Sequence, residues 1–196
     1  MNKPTLIIIT GLPGTGKTTL SRKISKILGL PLVEKDTIKE IMFDELGWSD
    51  KAWSDKLANV TSRIMDYITE QQLRAGNKLI LESNNFMPSL ANKKFQAWQA
   101  KYDCKVIQII CKAQVDVLAH RYYDRSLADR HPGYQDNSTE AFYKQALLER
   151  TAKGEDRPLE LKGKIIFVDT TDFNTMNSEI IIEKIKSWMS RLNKSA

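Results

Sequence analysis

Residues Gly11-Leu12-Pro13-Gly14-Thr15-Gly16-Lys17-Thr18 constrain this chain more than any other stretch. They match G-x-x-x-x-G-K-[ST], a pattern in which glycines let backbone N–H groups turn inward around phosphate oxygens. A helix following such a loop adds the positive end of its dipole. In that arrangement Lys17 reaches the outer phosphates, Thr18 holds Mg2+ through its hydroxyl, and Thr19 completes the binding segment. The flanks agree with the motif. An apolar strand at 6–10 precedes it, and Leu20, Ile24, Ile27 and Leu28 form a helical stripe behind it. A plain glycine-rich turn between strand and helix leaves Lys17-Thr18 unexplained. The motif therefore points to a bound nucleotide.

The rest of the chain extends the same alternation. Short apolar runs at 6–10, 32–34, 78–82, 105–111 and 164–169 read as strands. Trp53, Leu57, Val60, Ile64 and Ile68 make a long helical stripe closing near Gly76, and Ile181, Ile185, Trp188, Met189 and Leu192 make a last one. Strands that are apolar throughout are covered on both faces, as in a parallel sheet flanked by helices. The expected class is α/β, a three-layer α/β/α fold. One stretch, from about Arg121 to Arg157, is rich in Arg, Asp, His and Tyr and contains the turn His131-Pro132-Gly133. It is expected to be a lid at about 121–157 within a single domain of 1–196.

Composition narrows the class further. With 196 residues, 41% hydrophobic and 28% charged, the chain is long enough for one buried core and too apolar for disorder. Its apolar runs fall far short of the ~20 residues that span a bilayer, and no secretory signal is visible. Cys104 and Cys111, close together in one strand-like stretch, suggest reduced thiols and a cytoplasmic setting. The two histidines and two cysteines show no metal-ligand spacing. The formal charge of +6 fits either ordinary surface lysines or an anionic partner, nucleotide or nucleic acid.

Several kinds of phosphate-loop protein are excluded. No N-K-x-D sequence reads a guanine base; Asn92-Lys93-Lys94-Phe95 lacks the Asp. The D-x-x-G match from Asp44 to Gly47 falls on a helical pattern. The third strand ends Leu79-Ile-Leu-Glu82-Ser83-Asn84-Asn85, without the Asp-Glu of a motor ATPase. A small chain with an Arg-rich late insertion fits a phosphoryl-transferring kinase.

The segments Thr10 to Thr19, Lys35-Asp36-Thr-Ile-Lys39-Glu40 and Leu81-Glu82-Ser-Asn84 together resemble the small P-loop kinase group. That group includes polynucleotide 5′-kinases, zeta-type toxins, chloramphenicol phosphotransferase and bacterial AAA domain ATP-binding proteins. The resemblance spans about residues 4–170. It implies a five-stranded parallel sheet in the order 2-3-1-4-5, ATP with Mg2+, and transfer of the γ-phosphate to a hydroxyl. Its first motif is specific for nucleotide; the others are specific for the group and not for an acceptor.

The resemblance also assigns roles. Asp36 stands where the group places a carboxylate facing the acceptor, able to orient or deprotonate the attacking hydroxyl; it also reads as a helix N-cap. Lys39 stands where related polynucleotide kinases carry an Arg, so a point charge replaces a bidentate fork; it reads equally as a solvated helix lysine. Glu82 would hold a metal-bound water or contact substrate, in place of the Asp of many relatives. Asn84 and Asn85 read either as acceptor contacts or as turn residues. Arg121 and Arg125 share a helix face and Arg130 follows. Such arginines stabilise charge on a transferring phosphoryl group, or merely pair with Asp124 and Asp129. Asp129-Arg130-His131 lies in the lid, so the Asp-Arg role of thymidylate-type kinases does not transfer. Trp98 and Trp53 are expected in the core, and Trp48 in a helix–helix turn. The acceptor expected is a small metabolite, sugar or antibiotic-like molecule, with a nucleic-acid 5′-hydroxyl as first alternative and a nucleotide-dependent switch without acceptor chemistry as second.

Overall fold

Strand β1 (Thr5–Thr10) is buried along its whole length, which demands neighbours on both edges and layers on both faces. The edges are taken by β3 (Lys78–Glu82) and β4 (Lys105–Lys112), with Ile7 aligned to Ile80 on one side and to Ile107 on the other. Beyond them lie β2 (Leu32–Glu34) and β5 (Lys164–Asp169), giving the order β2-β3-β1-β4-β5 with every pair parallel. This is the order the resemblance implies. The computed structural model describes residues 3–84, 86–128, 130–136 and 138–193. Asn85, Asp129 and the Leu192 side chain, singled out above, lie outside the described residues.

Side chains alternate across a strand, and the core divides accordingly. Leu6 and Ile8 of β1 pack with Met65 and Leu73 of α3 (Lys51–Arg74) and with Phe95 and Trp98 of α4 (Pro88–Tyr102). Ile7 and Ile9 pack on the other face with Leu20 and Ile24 of α1 (Lys17–Leu28) and with Ile181, Ile182 and Ile185 of α7 (Ser178–Asn193). Each such side chain contributes about 1.5–3 kcal/mol by leaving water. Buried Gln108 of β4 bonds both backbone groups of Leu159, which pins the chain as it returns to β5. Cys104 and Cys111 are free and buried, and burial pushes their thiols up to about 11 and about 12. Among the described residues no helix is long and apolar enough to cross a membrane.

The Arg-rich stretch comprises most of α5 (Val115–Ala128), a 3₁₀ turn (Pro132–Tyr134) and α6 (Glu140–Ala152). It has its own apolar contact with the phosphate loop: Leu12 packs with Leu118, Ala119 and Leu147. The long helix α3 corrects one expectation. Its buried face is Ser54, Leu57, Thr61, Met65, Thr69 and Leu73. Val60 and Ile64 are more than a third exposed and Trp53 is only half-buried. Hydroxyl burial is possible because Thr61 and Thr69 donate to the carbonyls one turn back, Leu57 at 2.8 Å and Met65 at 2.7 Å.

Candidate active site

The phosphate loop leaves β1 and enters α1 through Gly16, whose φ of 69° is the left-handed conformation that favours glycine. Within the loop, Thr15 closes the turn by donating its hydroxyl to the Leu12 carbonyl at 2.8 Å. Phe173, from the connection after β5, lies against Gly16, where any Cβ would strike its ring. Arg121 of α5 holds that connection. Its guanidinium donates to the carbonyls of Thr170 (2.7 Å) and Thr171 (2.9 Å) and lies 3.9 Å from the Phe173 ring centroid.

A cleft of about 560 Å3 opens over the loop, lined by Lys17, Thr18, Thr19, Asp36, Arg121, Arg125 and Arg130. Lys17 is buried, with its ammonium 3.9 Å from the Glu82 carboxylate. Thr18 donates to the other Glu82 oxygen at 3.3 Å. Glu82 ends β3 and is 2% exposed; burial pushes it up to about 7 against the pull of Lys17, with Asp36 and Glu34 adding to the rise. Among the described residues no group of three or more His, Cys, Asp or Glu could hold a metal ion.

Asp36 does not cap a helix. Helix α2 (Lys35–Leu46) has Glu34 at its N-cap position, and Asp36 sits inside the first turn. Its carboxylate faces the cleft and accepts from Arg130 at 3.3 Å, a contact between residues 94 apart in sequence. Burial raises the Asp36 carboxyl, but Arg130, Lys17 and Lys35 outweigh it and hold the group below the usual carboxylate range. Arg130 also bonds Asp136 at 2.8 Å, and its guanidinium lies 3.3 Å from the Tyr134 ring centroid. Arg125 is less committed. Its Nε is buried with no partner among the described residues, and its guanidinium lies 5.2 Å from the Tyr122 ring centroid.

The fold thus brings Lys17, Thr18, Asp36, Arg121, Arg125 and Arg130 around one cleft, with Glu82 beneath it. Lys39 and Asn84 are outside that lining. The Asn84 carbonyl accepts from Arg150 at 3.0 Å. Lys39 is buried instead of solvated: its ammonium donates to Ser54 at 2.8 Å and faces the Phe43 and Tyr134 rings at 5.0 and 4.7 Å. Burial, reinforced by Lys35 and Arg130, lowers Lys39 to about 8. The unfolded chain therefore holds this proton to higher pH than the folded one, so the desolvated charge costs stability below pH 8 and the cost fades as pH rises toward 10.5. Lys39→Met is expected to stabilise the protein by about 1–2 kcal/mol at pH 7. Thermal unfolding at pH 7 and pH 10 checks this, with the gain shrinking at the higher pH.

Two contributors had little local signal in the sequence. Phe173 sits in a connection with no motif. Tyr134 belongs to the His131-Pro132-Gly133 turn, which was legible as a turn but not as a site wall. That turn grips α2: His131 stacks on Phe43 at 4.9 Å, and a Cβ on Gly133 would lie 2.7 Å from the fully buried Phe43 ring. Gly133→Ala is expected to cost about 1–3 kcal/mol by overpacking, read as a fall in Tm; an unchanged Tm would contradict the contact.

Comparison with known proteins gives this cleft a lineage. A family model described as AAA domain matches residues 6–147. A crystal structure of a candidate kinase from Chloroflexus aurantiacus superposes with a TM-score of 0.84 and 35% identity, over 95% of this chain and 99% of that one. A gluconokinase from Sinorhizobium meliloti, 15% identical with a TM-score of 0.54 over 100% of this chain and 97% of that one, shares the fold. Shikimate kinase of Clostridium botulinum is 39% identical over 80 residues, 40% of this chain and 41% of that protein. The chain thus matches about two-fifths of the length of such curated relatives. Phosphate loop, strand order and family match agree, and the chain belongs to the AAA domain family within the small P-loop kinase group.

Proposed function

We propose that this protein transfers the γ-phosphate of ATP, with Mg2+, to a hydroxyl of a small-molecule acceptor. The observation that carries this reading is the convergence of Asp36 and Arg130 on the cleft above Lys17 and Thr18. A nucleotide-dependent switch would not need a carboxylate facing the outer phosphates. The loop and Lys17 would cradle the phosphates, and Arg121 would steady the connection that lays Phe173 against Gly16. Thr18 and Glu82 would hold Mg2+, which when bound offsets charge between the phosphates. Asp36, kept ionised by its cationic neighbours, orients the acceptor hydroxyl and receives its proton. The acceptor oxygen forms its bond to phosphorus as the bond to the ADP oxygen breaks. Arg125, which lines the cleft, binds the charge that spreads over the transferring group.

A small acceptor is favoured over a polynucleotide because Lys39, which stands where related polynucleotide kinases carry an Arg, is buried and bonded to Ser54. Transfer of label from γ-labelled ATP tests the choice, offered to hydroxyl metabolites beside a 5′-hydroxyl oligonucleotide. Transfer to a metabolite is expected. Transfer to the oligonucleotide alone, falling steeply with salt, would replace this reading.

A further inference from the structure

Arg130 joins two carboxylates through different nitrogens. Its Nε donates to Asp136 Oδ2 at 2.8 Å, and its Nη1 donates to Asp36 Oδ2 at 3.3 Å. Tyr134 supports the same guanidinium, its ring centroid 3.3 Å away, and its hydroxyl donates to the Asp36 carbonyl at 3.3 Å. The three side chains differ in exposure. Arg130 is 10% exposed and Asp136 19%, while Asp36, in the lining of the cleft, keeps 32% of its side chain open.

The chain folds back on itself to build this arrangement. The 3₁₀ turn between Arg130 and Asp136 ends at Gln135, whose φ of 54° is a left-handed conformation that residues other than glycine seldom adopt. The Gln135 side-chain amide donates to the Ser49 carbonyl and so ties the reversal down. The turn returns Asp136 to Arg130, and His131 and Gly133 dock it on Phe43 of α2, the helix that bears Asp36. A guanidinium facing a single carboxylate pairs with it through two parallel N–H bonds and takes both oxygens. Arg130 does not do so. Only Nη1 donates to Asp36, and only to Oδ2. Asp36 Oδ1 accepts no hydrogen bond among the described residues and is not buried, so it is the oxygen left for an acceptor hydroxyl. The shorter of the two bonds, to Asp136, restrains Arg130 from the other side.

We infer that Asp136 is a positioning residue: it holds Arg130 off one oxygen of Asp36 and so keeps that oxygen open to the acceptor hydroxyl. This rests on the kinase reading of the cleft. Asp136 is not among the residues lining the cleft and acts through Arg130. Without it, Arg130 turns its fork onto Asp36, which then loses its open oxygen and part of its basicity.

Three variants separate the hold from charge and from fold. Asp136→Ala removes the hold. Asp136→Asn removes the charge and keeps an oxygen for the Arg130 Nε. Asp136→Ser, whose oxygen stands one bond shorter, replaces alanine if alanine costs the fold. A crystal structure of Asp136→Ala needs no acceptor and is expected to show Arg130 paired through two nitrogens with both Asp36 oxygens; Arg130 in its present place would overturn the inference. Turnover of Mg·ATP is measured with the acceptor that the label-transfer screen returns. Asp136→Ala is expected to lower kcat about tenfold or more with KM for ATP within about twofold, while Asp136→Asn keeps kcat within about threefold. In an Asp36→Asn background, alanine at 136 is expected to add less than about twofold. Equal losses in Asp136→Ala and Asp136→Asn, a loss carried mainly by KM for ATP, or a loss undiminished beside Asp36→Asn would overturn the inference. A wild type that transfers to no acceptor would instead remove the kinase reading on which the inference stands, while the crystal structure still decides whether Asp136 holds Arg130.

Discussion

Lys17→Ala is expected to abolish phosphoryl transfer, lowering the rate by about 10³-fold or more, equivalent to about 4 kcal/mol of lost transition-state stabilisation. Among the described residues Lys17 is the one ammonium that lines the cleft, where charge on the outer phosphates must be offset. The fold is expected to survive. Glu82 is already pushed up to about 7 by burial, and loss of Lys17 raises it further, so it takes up a proton instead of remaining as an unpaired buried charge. Steady-state kinetics with a thermal-unfolding control reads both effects. A loss smaller than tenfold with an intact fold would mean that the phosphates do not sit over Lys17.

Asp36→Asn is expected to lower kcat by about 10²–10⁴-fold while leaving ADP affinity within about twofold. The substitution keeps the shape of the side chain and removes only its charge and basicity. Arg130 retains Asp136 at 2.8 Å, so the wall of the cleft stays in place. The separation of kcat from nucleotide binding is the informative part. A residue that merely shaped the first turn of α2 would show neither the loss nor the separation.

Much of this architecture was legible in the sequence, for identifiable physical reasons. The strands at 32–34, 78–82 and 164–169 coincide with the observed bounds because each is a short apolar run closed by charged residues. The phosphate loop is local, and a local motif carries its geometry with it. What was not legible depends on distant partners. Asp36 reads as an acceptor-facing carboxylate or a helix cap, but its tie to Arg130, 94 residues away, is not visible in sequence. Lys39 reads as a substrate contact or a solvated helix lysine, and neither reading shows that Ser54 and the Tyr134 turn enclose it. Helix α3 presents Thr61 and Thr69 to the core because their hydroxyls are satisfied within the helix, something hydrophobic periodicity does not register.

The central claim is that the cleft moves a phosphoryl group onto an acceptor hydroxyl. Acceptor-dependent formation of ADP and of labelled product tests it most directly, screened over hydroxy acids, sugar acids, sugar phosphates and neutral polyols, with wild type beside Asp36→Asn. The account expects product from at least one acceptor in the wild type, lost in Asp36→Asn while ADP still binds. Tight ATP binding with no acceptor-dependent product, and no difference between wild type and Asp36→Asn, would contradict it.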